Sequence, residues 1–524
     1  MTRLAKLAIA ALLPMVAMPA MAGDGLTFDA TAYQEKVLTF PDGVSVKYRA
    51  YEKVYYVSNV ADSTYQCLNF YVPEKAYYAG KGTPILFRNY VSGYAAARPK
   101  GPDETDASGR ALREGYVLCI PGARGSGSTI KQKVGKGRKV KTVEVYDGRC
   151  PNGLLDLKAA IRFLRYNDAV MPGDAEMIIS DGASAGGAMS SLLGATGNHP
   201  MYAAALKEMG AADTRDDIFA SAVYCPIIDL EHADMAYEWL LGYANGTARN
   251  KTPELMALSK ELAAGYPAYV NSLNLTNPYT GEKLTGDNYM DYIKSYLIKS
   301  IQRGRDEGAV IPDTIGVKFY EEPKKGPGVG GPGGPGPRGN RGPGNGPQGN
   351  RGPGGPGGPG MMMRMTPEQS QFILDLDMEK YIKYVATTQP LKNAPAFDSK
   401  DVLGGRSSAE NNVFGSTDGQ GANFTDRSLK KATGDENATI SDEMRQRVYM
   451  YNPLKFVGNA QASNAPYWFI RQGARDATFY APVTLATMLQ NKGKQVNFAF
   501  TWNRPHSGDF HLEEMFKWIK KICK

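Results

Sequence analysis

The sequence predicts an α/β fold: a mostly parallel, doubly wound sheet that a large, mainly helical insertion interrupts. Three observations predict it. Apolar runs alternate with helical periods over residues 36–224, helix signals prevail over 231–445, and strand–helix alternation returns from residue 464. Such alternation is typical of a parallel sheet with helices on both faces. With 524 residues the chain is too long for one ordinary core. One α/β core with an insertion fits the pattern better than two domains in series.

The first half of the predicted core, residues 23–230, contains four buried strands. The strand runs are TPILFRNYV (83–91), GYVLCIPGARG (115–125), AEMIISDG (175–182) and ASAVYCPIIDL (220–230). Apolar residues at helical spacing occur in NGLLDLKAAIRFLRYND (152–168), and the helix-forming run AMSSLLGATG follows the third strand run.

The second half of the predicted core, residues 446–524, alternates in the same way. Strand NAPYWFIRQG (464–473), helix APVTLATMLQNKG, strand QVNFAFTW and helix HLEEMFKWIKKI follow one another. The two halves therefore complete one sheet around the insertion.

The insertion, residues 231–445, has helix signals in TPELMALSKELAAGYPAYV, NYMDYIKSYLIKSIQRG and DMEKYIKYVATTQ. Within it lies a segment of almost only glycine and proline, residues 324–360. Glycine and proline bury too little apolar surface to offset the entropy of ordering, so this segment is predicted to be a disordered loop.

The N-terminus has the pattern of a cleavable signal peptide over residues 1–22. Arg3 and Lys6 precede a short apolar run, and Ala20-Met21-Ala22 fits the small-x-small rule for cleavage after Ala22. No other segment is long and apolar enough to cross a bilayer. We expect a secreted or periplasmic protein with no membrane contact after cleavage.

Charge and cysteine content exclude several classes of partner. The net charge of +8 is modest, and the basic segment KQKVGKGRKVKTVEV (131–145) is typical of a solvated β-hairpin with a GKG turn. It carries no interleaved aromatic residues, so we expect no nucleic-acid partner. The five cysteines leave at least one thiol unpaired, and their spacing fits no zinc site. We expect neither a metal nor another cofactor.

Ser184 lies in the pattern G-x-S-x-G, formed by Gly182-Ala183-Ser184-Ala185-Gly186. The strand run AEMIIS precedes the pattern directly, and a helix-forming run follows it. A nucleophilic serine on a sharp strand-to-helix turn needs small neighbours of this kind. The sequence therefore predicts that Ser184 is a nucleophile.

A serine nucleophile needs a base, and the chain has only four histidines. His506 follows the strand QVNFAFTW, and Asp476 follows YWFIRQG, in the chain order Ser–acid–His that such elbows require. We predict His506 as the base and Asp476 as the acid. Asp509 is the rival acid, although its position three residues from His506 favours a role in bracing the loop.

The other three histidines are assigned structural or surface positions: His199, His232 and His511. For the oxyanion, the backbone N–H of Ala185 is one predicted donor, at a helix N-terminus. The loop RNYVSGY (88–94) offers the second, from Gly93 or the neighbouring Ser92. Alternatively, Gly93 only makes a turn.

Several blocks together resemble the bacterial (subtype B) tannases and their esterase relatives: GASAGGAMSSLLGATGNHP, IPGARG, NPLKF, RQGARD and PHSGD. The resemblance implies an α/β-hydrolase core with a lid after the sixth strand, hydrolysis of galloyl esters of plant tannins, and no metal. It places Ser184, Asp476 and His506 on the family's triad. The fungal-type branch has cysteines directly before the serine and the histidine, where this chain has Ala183 and Pro505.

The resemblance also implies substrate-binding residues. The blocks LKNAPAFD and AENNVFG place the family's gallate-binding lysine at Lys392 and its glutamate at Glu410. Either could equally be a surface charge. The family's second aspartate, two residues after the triad acid, is Thr478 here, which removes a charge from the predicted gallate site.

These observations predict a secreted serine esterase whose partner is a small-molecule phenolic ester, with galloyl esters as the first choice. A feruloyl or general carboxylesterase with the same mechanism is the alternative. Peptidases of the same fold usually carry a large accessory domain, and the sequence shows no such domain. A non-catalytic exported binding protein on this scaffold is a third possibility. The acyl group, the alcohol, the cysteine pairing and the oligomeric state stay open.

Overall fold

The computed structural model describes residues 25–78, 81–134, 140–319, 373–416 and 418–524. The predicted signal peptide and the predicted disordered loop both lie outside these described residues.

The strands in chain order are β1 (Gln34–Thr39), β2 (Ser45–Tyr55), β3 (Cys67–Pro73), β4 (Ile85–Arg88), β5 (Val117–Pro121), β6 (Thr129–Val134), β7 (Lys141–Tyr146), β8 (Ile178–Ala183), β9 (Ala220–Tyr224), β10 (Val317–Phe319), β11 (Ile373–Leu376), β12 (Tyr467–Gly473) and β13 (Gln495–Thr501). Within the described residues the main sheet has nine strands in the order β1-β2-β3-β5-β4-β8-β9-β12-β13. Two further pairs, β6–β7 and β10–β11, are separate antiparallel ribbons.

The main sheet is parallel from β5 to β13 and antiparallel from β1 to β5. Each strand predicted from an apolar run is present as β4, β5, β8, β9, β12 or β13, and the predicted α/β class is confirmed. No strand is predicted from the sequence over β1 to β3. Of these strands, β2 pairs with β3 in a register that shifts between Tyr51 and Val54.

The helices are α1 (Ala107–Glu114), α2 (Asn152–Tyr166), α3 (Ala185–Ala195), α4 (Ala203–Glu208), α5 (Leu230–Leu241), α6 (Pro253–Ser272), α7 (Tyr289–Asp306), α8 (Met378–Thr388), α9 (Ala409–Val413), α10 (Asp426–Thr433), α11 (Asp442–Met450), α12 (Tyr480–Asn491) and α13 (Leu512–Ile522). Helices α1 and α13 share one apolar cluster with the sheet, and α2, α3 and α12 belong to the other cluster. The sheet is thus covered on both faces, as a parallel sheet must be.

Between the neighbouring strands β9 and β12 the chain forms α5 to α11 and the β10–β11 ribbon. Helix α5 begins at Leu230, and the predicted boundary at 445 falls within α11. Helix α7 is bound to α12 of the core, where Tyr289 shares a hydrogen bond of 2.7 Å with Thr484 and Tyr292 one of 2.9 Å with Thr487.

The basic segment predicted as a hairpin forms β6 and β7, while its GKG turn lies outside the described residues. None of the helices in the described residues is both long enough and apolar enough to span a bilayer.

The parallel strands set the position of the site. The carboxyl ends of β4, β8, β9, β12 and β13 lie along one edge of the sheet. Ligands of open α/β sheets bind beyond that edge. The loops after β8, β12 and β13 carry the predicted triad, and the loop after β4 carries Gly93.

Candidate active site

Ser184 follows β8 and precedes α3, and its backbone is held at φ 59° and ψ −124°. A side chain pays about 1–3 kcal/mol to occupy such a conformation. The neighbouring glycines permit the turn: a Cβ on Gly182 would lie 2.4 Å from the carbonyl O of Gly186, and a Cβ on Gly186 would lie 2.8 Å from that of Val91. The turn therefore excludes side chains at both glycines.

The loop after β4 packs against this turn through Asn89. The buried Asn89 side chain donates to the carbonyl oxygens of Asp181 and Gly186 and to Ser190 Oγ, each at 3.1 Å. Asn89 was not predicted as a site residue: it lies within the predicted strand run 83–91, whereas the strand observed there, β4, ends at Arg88. It fixes the distance between the two loops that would bind an oxyanion.

Gly93 does make a turn. The N–H of Ala95 donates to Ser92 O at 3.0 Å, and Gly93 and Tyr94 both have positive φ, as in a type I′ turn. Among the described residues, the backbone N–H groups of Gly93 and Ala185 donate to no protein acceptor. Both are therefore free to bind a ligand oxygen.

The structure brings Ser184, His506 and Asp476 together. Ser184 Oγ lies 2.7 Å from His506 Nε2, and His506 Nδ1 lies 2.7 Å from Asp476 Oδ2. The second oxygen of Asp476 accepts the N–H of Thr478 at 3.0 Å and its hydroxyl at 2.8 Å. The three side chains form one hydrogen-bonded chain that ends on a buried carboxylate.

Charges set the proton affinities in this chain. Burial alone would lower the pKa of His506, but the charge and hydrogen bond of Asp476 outweigh it and raise that pKa above its ordinary value. Burial would raise the pKa of Asp476, yet His506 and the two bonds from Thr478 hold it below its usual range. Asp476 is therefore ionised at neutral pH.

The remaining histidines lie elsewhere. His199 Nδ1 accepts the N–H of Met201 at 3.2 Å, His232 pairs with Asp229, and His511 pairs with Glu514 at the start of α13. Of the four histidines, all of which are described, only His506 contacts Ser184.

The rival acid, Asp509, contacts Arg88 and not His506. Arg88 donates to Asp509 Oδ2 at 2.5 Å and also to Asp181, which lies three residues before Ser184. Burial, only partly offset by Arg88, raises the pKa of Asp181 to about 6. This charged group links β4, β8 and the loop of His506, and it was not predicted because its members are far apart in sequence.

The insertion brings Glu410 and Lys392 close to His506, where the charge of Glu410 raises the pKa of His506 and that of Lys392 lowers it. Glu410 is buried, and its Oε2 has no hydrogen-bond partner among the residues that the structure describes. Ala409 Cβ lies 3.9 Å from where a Cβ of Gly93 would be, so α9 adjoins the loop after β4. This carboxylate oxygen of Glu410 is therefore available to accept a hydrogen bond.

Lys392 is exposed and lies over the Phe397 ring, with Nζ 4.8 Å from the ring centroid. Its backbone is held on both sides: its N–H donates to Tyr237 at 3.1 Å and its carbonyl accepts from Arg249 at 2.7 Å. Within the described residues its ammonium group forms no ion pair. Thr478 is buried and its hydroxyl is bonded to Asp476.

The group with metal-ligand spacing within the described residues is Cys225, Asp476 and His506, whose ligand atoms lie within 4.8 Å of one another. Asp476 and His506 bond to each other, and burial raises the pKa of the Cys225 thiol well above its usual range. Two of the three groups are thus hydrogen-bonded to each other, and the Cys225 thiol is protonated at neutral pH. All five cysteines are described, and all are free thiols.

Comparison with known proteins gives consistent matches. The BD-FAE family model matches residues 142–271. The tannase of Fusobacterium nucleatum is 32% identical, with a TM-score of 0.74, over 95% of this chain and 99% of that chain. The native tannin acyl hydrolase of Lactobacillus plantarum is 31% identical, with a TM-score of 0.75, over 96% and 99%.

Two further matches add to these. A tannin acyl hydrolase in complex with ethyl gallate is 31% identical, with a TM-score of 0.75, over 95% of this chain and 99% of that chain. Esterase LipC of Mycobacterium tuberculosis is 44% identical over 69 residues, which are 13% of this chain and 17% of the esterase. The chain thus spans less than a fifth of that esterase.

The sheet order, the serine turn and these matches define the class: this is a carboxylic ester hydrolase with the α/β-hydrolase fold. Within that class, the extended likeness to solved tannases at over 30% identity shows that the chain belongs to the bacterial tannase family.

Proposed function

We propose that this protein hydrolyses esters of phenolic acids through Ser184, His506 and Asp476, with galloyl esters as its best substrates. The observation that carries the mechanism is the pair of 2.7 Å contacts that join the three side chains. Ser184 Oγ attacks the ester carbonyl while His506 Nε2 takes its proton, and Asp476 stabilises the imidazolium that forms.

The tetrahedral intermediate then collapses. His506 returns the proton to the departing alkoxide, which leaves as the alcohol, and the acid remains bound to Ser184 as an ester. Water attacks this acyl-enzyme with His506 again as base, and the free phenolic acid departs. The unpaired N–H groups of Ala185 and Gly93 stabilise the oxyanion in both halves of the reaction.

The insertion supplies the acyl-binding groups. The unpartnered Oε2 of Glu410 accepts a phenolic O–H, and the Lys392 ammonium donates to a phenolic oxygen. Solved relatives support a phenolic ligand: one tannin acyl hydrolase is in complex with ethyl gallate and another with 3,4-dihydroxybenzoate. We assign residues 231–445 as the lid over the site.

A second candidate is a feruloyl or general carboxylesterase, and the contacts of Thr478 favour it. Its only side-chain oxygen already bonds to Asp476, so this position offers no charge to a third ring hydroxyl. A site that has lost one polar contact discriminates less between acyl groups.

The test compares hydrolysis of methyl gallate, methyl ferulate and a short aliphatic methyl ester, with Ser184→Ala as the blank. We expect gallate to have the highest kcat/KM. Equal rates on all three esters would instead support the general esterase. A binding protein would be supported if no ester is hydrolysed and a serine-directed phosphonate does not label Ser184. Export and cleavage after Ala22 are proposed with it and are tested by N-terminal sequencing of the mature protein.

A further inference from the structure

Cys225 follows β9, at the point where the chain leaves the sheet between the serine strand and the acid strand. β9 pairs with β8 on one side and with β12 on the other. The N–H of Ser184 donates to Tyr224 O, and the N–H of Cys225 donates to Arg471 O, both at 2.9 Å. The backbone here therefore ties the turn of Ser184 to the strand that leads to Asp476.

The Cys225 thiol is fully buried, and the polar groups around it belong to the reacting loops. Its sulfur, a carboxylate oxygen of Asp476 and a ring nitrogen of His506 lie within 4.8 Å of one another. The backbone N–H groups of Gly473 and Ser507 lower the pKa of this thiol, which burial raises. One small side chain thus adjoins both the loop after β12 and the loop after β13.

The backbone of Cys225 has φ 42°, in the left-handed region. A non-glycine residue there costs about 1–3 kcal/mol and persists only where its surroundings hold it. Glycine would relieve the backbone, but it would leave no side chain between the two loops. The burial of the side chain and the bond of the Cys225 N–H to Arg471 O hold the residue in this conformation.

We propose that Cys225 is a positioning residue that holds Asp476 and His506 at hydrogen-bonding distance from each other. This inference rests on the proposed function. The thiol acts through these two residues: its sulfur lies within 4.8 Å of ligand atoms of both and fills the space beside them, which limits how far either side chain moves. Alanine would leave a void there, whereas serine keeps a heavy atom close to the position of the sulfur.

The test uses the full chain with Cys225→Ala and Cys225→Ser. The control is Cys119→Ala, which empties an equally buried cysteine on β5 away from the site. We measure kcat, KM and Tm with the best ester. We expect Cys225→Ala to lower kcat by roughly ten- to a hundredfold, as a small misplacement of reacting groups does. KM should change by less than about twofold, and Cys225→Ser should regain most of the loss.

Cys119→Ala should lower Tm and leave kcat unchanged. The inference is overturned if Cys225→Ala keeps the wild-type kcat, or if Cys225→Ser loses as much kcat as Cys225→Ala.

A second readout does not depend on turnover. The titration of His506, followed by NMR, should move to lower pH in Cys225→Ala, because a looser Asp476 raises the pKa of His506 less. An unchanged titration overturns the inference even if the wild type hydrolyses no ester. A wild-type protein that hydrolyses no ester would, by contrast, refute only the proposed function.

Discussion

The strand-end loops and the insertion contribute to the same site in opposite ways. Asp476 has protein partners for both carboxylate oxygens, and His506 for both ring nitrogens. In the insertion, Glu410 keeps a buried oxygen without a partner, and Lys392 forms no ion pair within the described residues. The proposed reacting groups are thus hydrogen-bonded to one another, whereas the proposed acyl-binding groups of the insertion keep unused hydrogen-bonding capacity among the described residues. Chemistry and selectivity should therefore respond to different mutations.

The largest effect is expected from the strand-end side. Ser184→Ala removes the nucleophile and should lower kcat by about 10⁶-fold on every ester, with Tm close to that of the wild type. Steady-state rates and labelling by a phosphonate probe measure this. The matched control is Ser295→Ala in the insertion, which should keep full activity. Labelling of the Ser184→Ala variant would refute the assignment of the nucleophile.

Asp476→Asn should lower kcat by about 10⁴-fold, because the amide cannot hold the His506 tautomer or stabilise the imidazolium. The control is Asp509→Asn, which removes the rival acid. Since Asp509 pairs with Arg88, this change should cost stability, about 1–3 kcal/mol, rather than the proton transfer. Thermal unfolding and kcat separate the two, and a greater loss of kcat in Asp509→Asn would reverse the assignment.

The strand-end residues could be predicted from local sequence patterns, and the insertion residues could not. Ser184, Asp476 and His506 each follow an apolar strand run, so local pattern and chain order indicate them. Glu410 and Lys392 lie in irregular insertion segments, and only the family resemblance indicated them.

Other features of the site and of the fold depend on contacts between residues far apart in the chain, which no local sequence pattern predicts. Arg88 meets a carboxylate 421 residues away in the chain. The position of Cys225 beside Asp476 requires a left-handed backbone at a non-glycine residue, for which the sequence has no signal. Antiparallel β1 to β3 were not predicted, and the register shift between Tyr51 and Val54 interrupts the alternation of β2 alone.

On the insertion side, Glu410→Gln should lower kcat/KM for methyl gallate roughly 10- to 100-fold, since a charged acceptor for phenolic hydroxyls is lost. At a pH above the titration of His506, the rate on a short aliphatic ester should not change, because that acyl group has no hydroxyl to donate. Glu436→Gln, an exposed change in the same insertion, is the control. An equal loss on both esters would mean that Glu410 acts on the chemistry instead.

Thr478→Asp tests the boundary between the two regions. It adds a carboxylate where Thr478 now donates to Asp476, so the ratio of gallate to ferulate kcat/KM should rise by roughly tenfold. At the same time kcat should fall, because Asp476 loses a donor and gains a like charge beside it. Thr478→Val, which removes the hydroxyl without adding charge, should lower kcat without changing the ratio. A ratio unchanged in Thr478→Asp would place residue 478 away from the acyl ring.

The smallest expected effect is that of two charged insertion residues, Lys392 and Glu410, on the pKa of His506. His506 must be neutral to accept the Ser184 proton, and its pKa is raised above the ordinary value of 6.5. The acid limb of kcat/KM, which reports the free enzyme, should therefore have its midpoint above pH 6.5. Lys392 lowers this pKa and Glu410 raises it, so Lys392→Met should move the limb to higher pH and Glu410→Gln to lower pH. A short aliphatic ester is the right substrate, because neither change affects its binding. If the acid limbs of the wild type, Lys392→Met and Glu410→Gln coincide, the charges of Lys392 and Glu410 do not affect the pKa of His506. The insertion would then only contact the ligand.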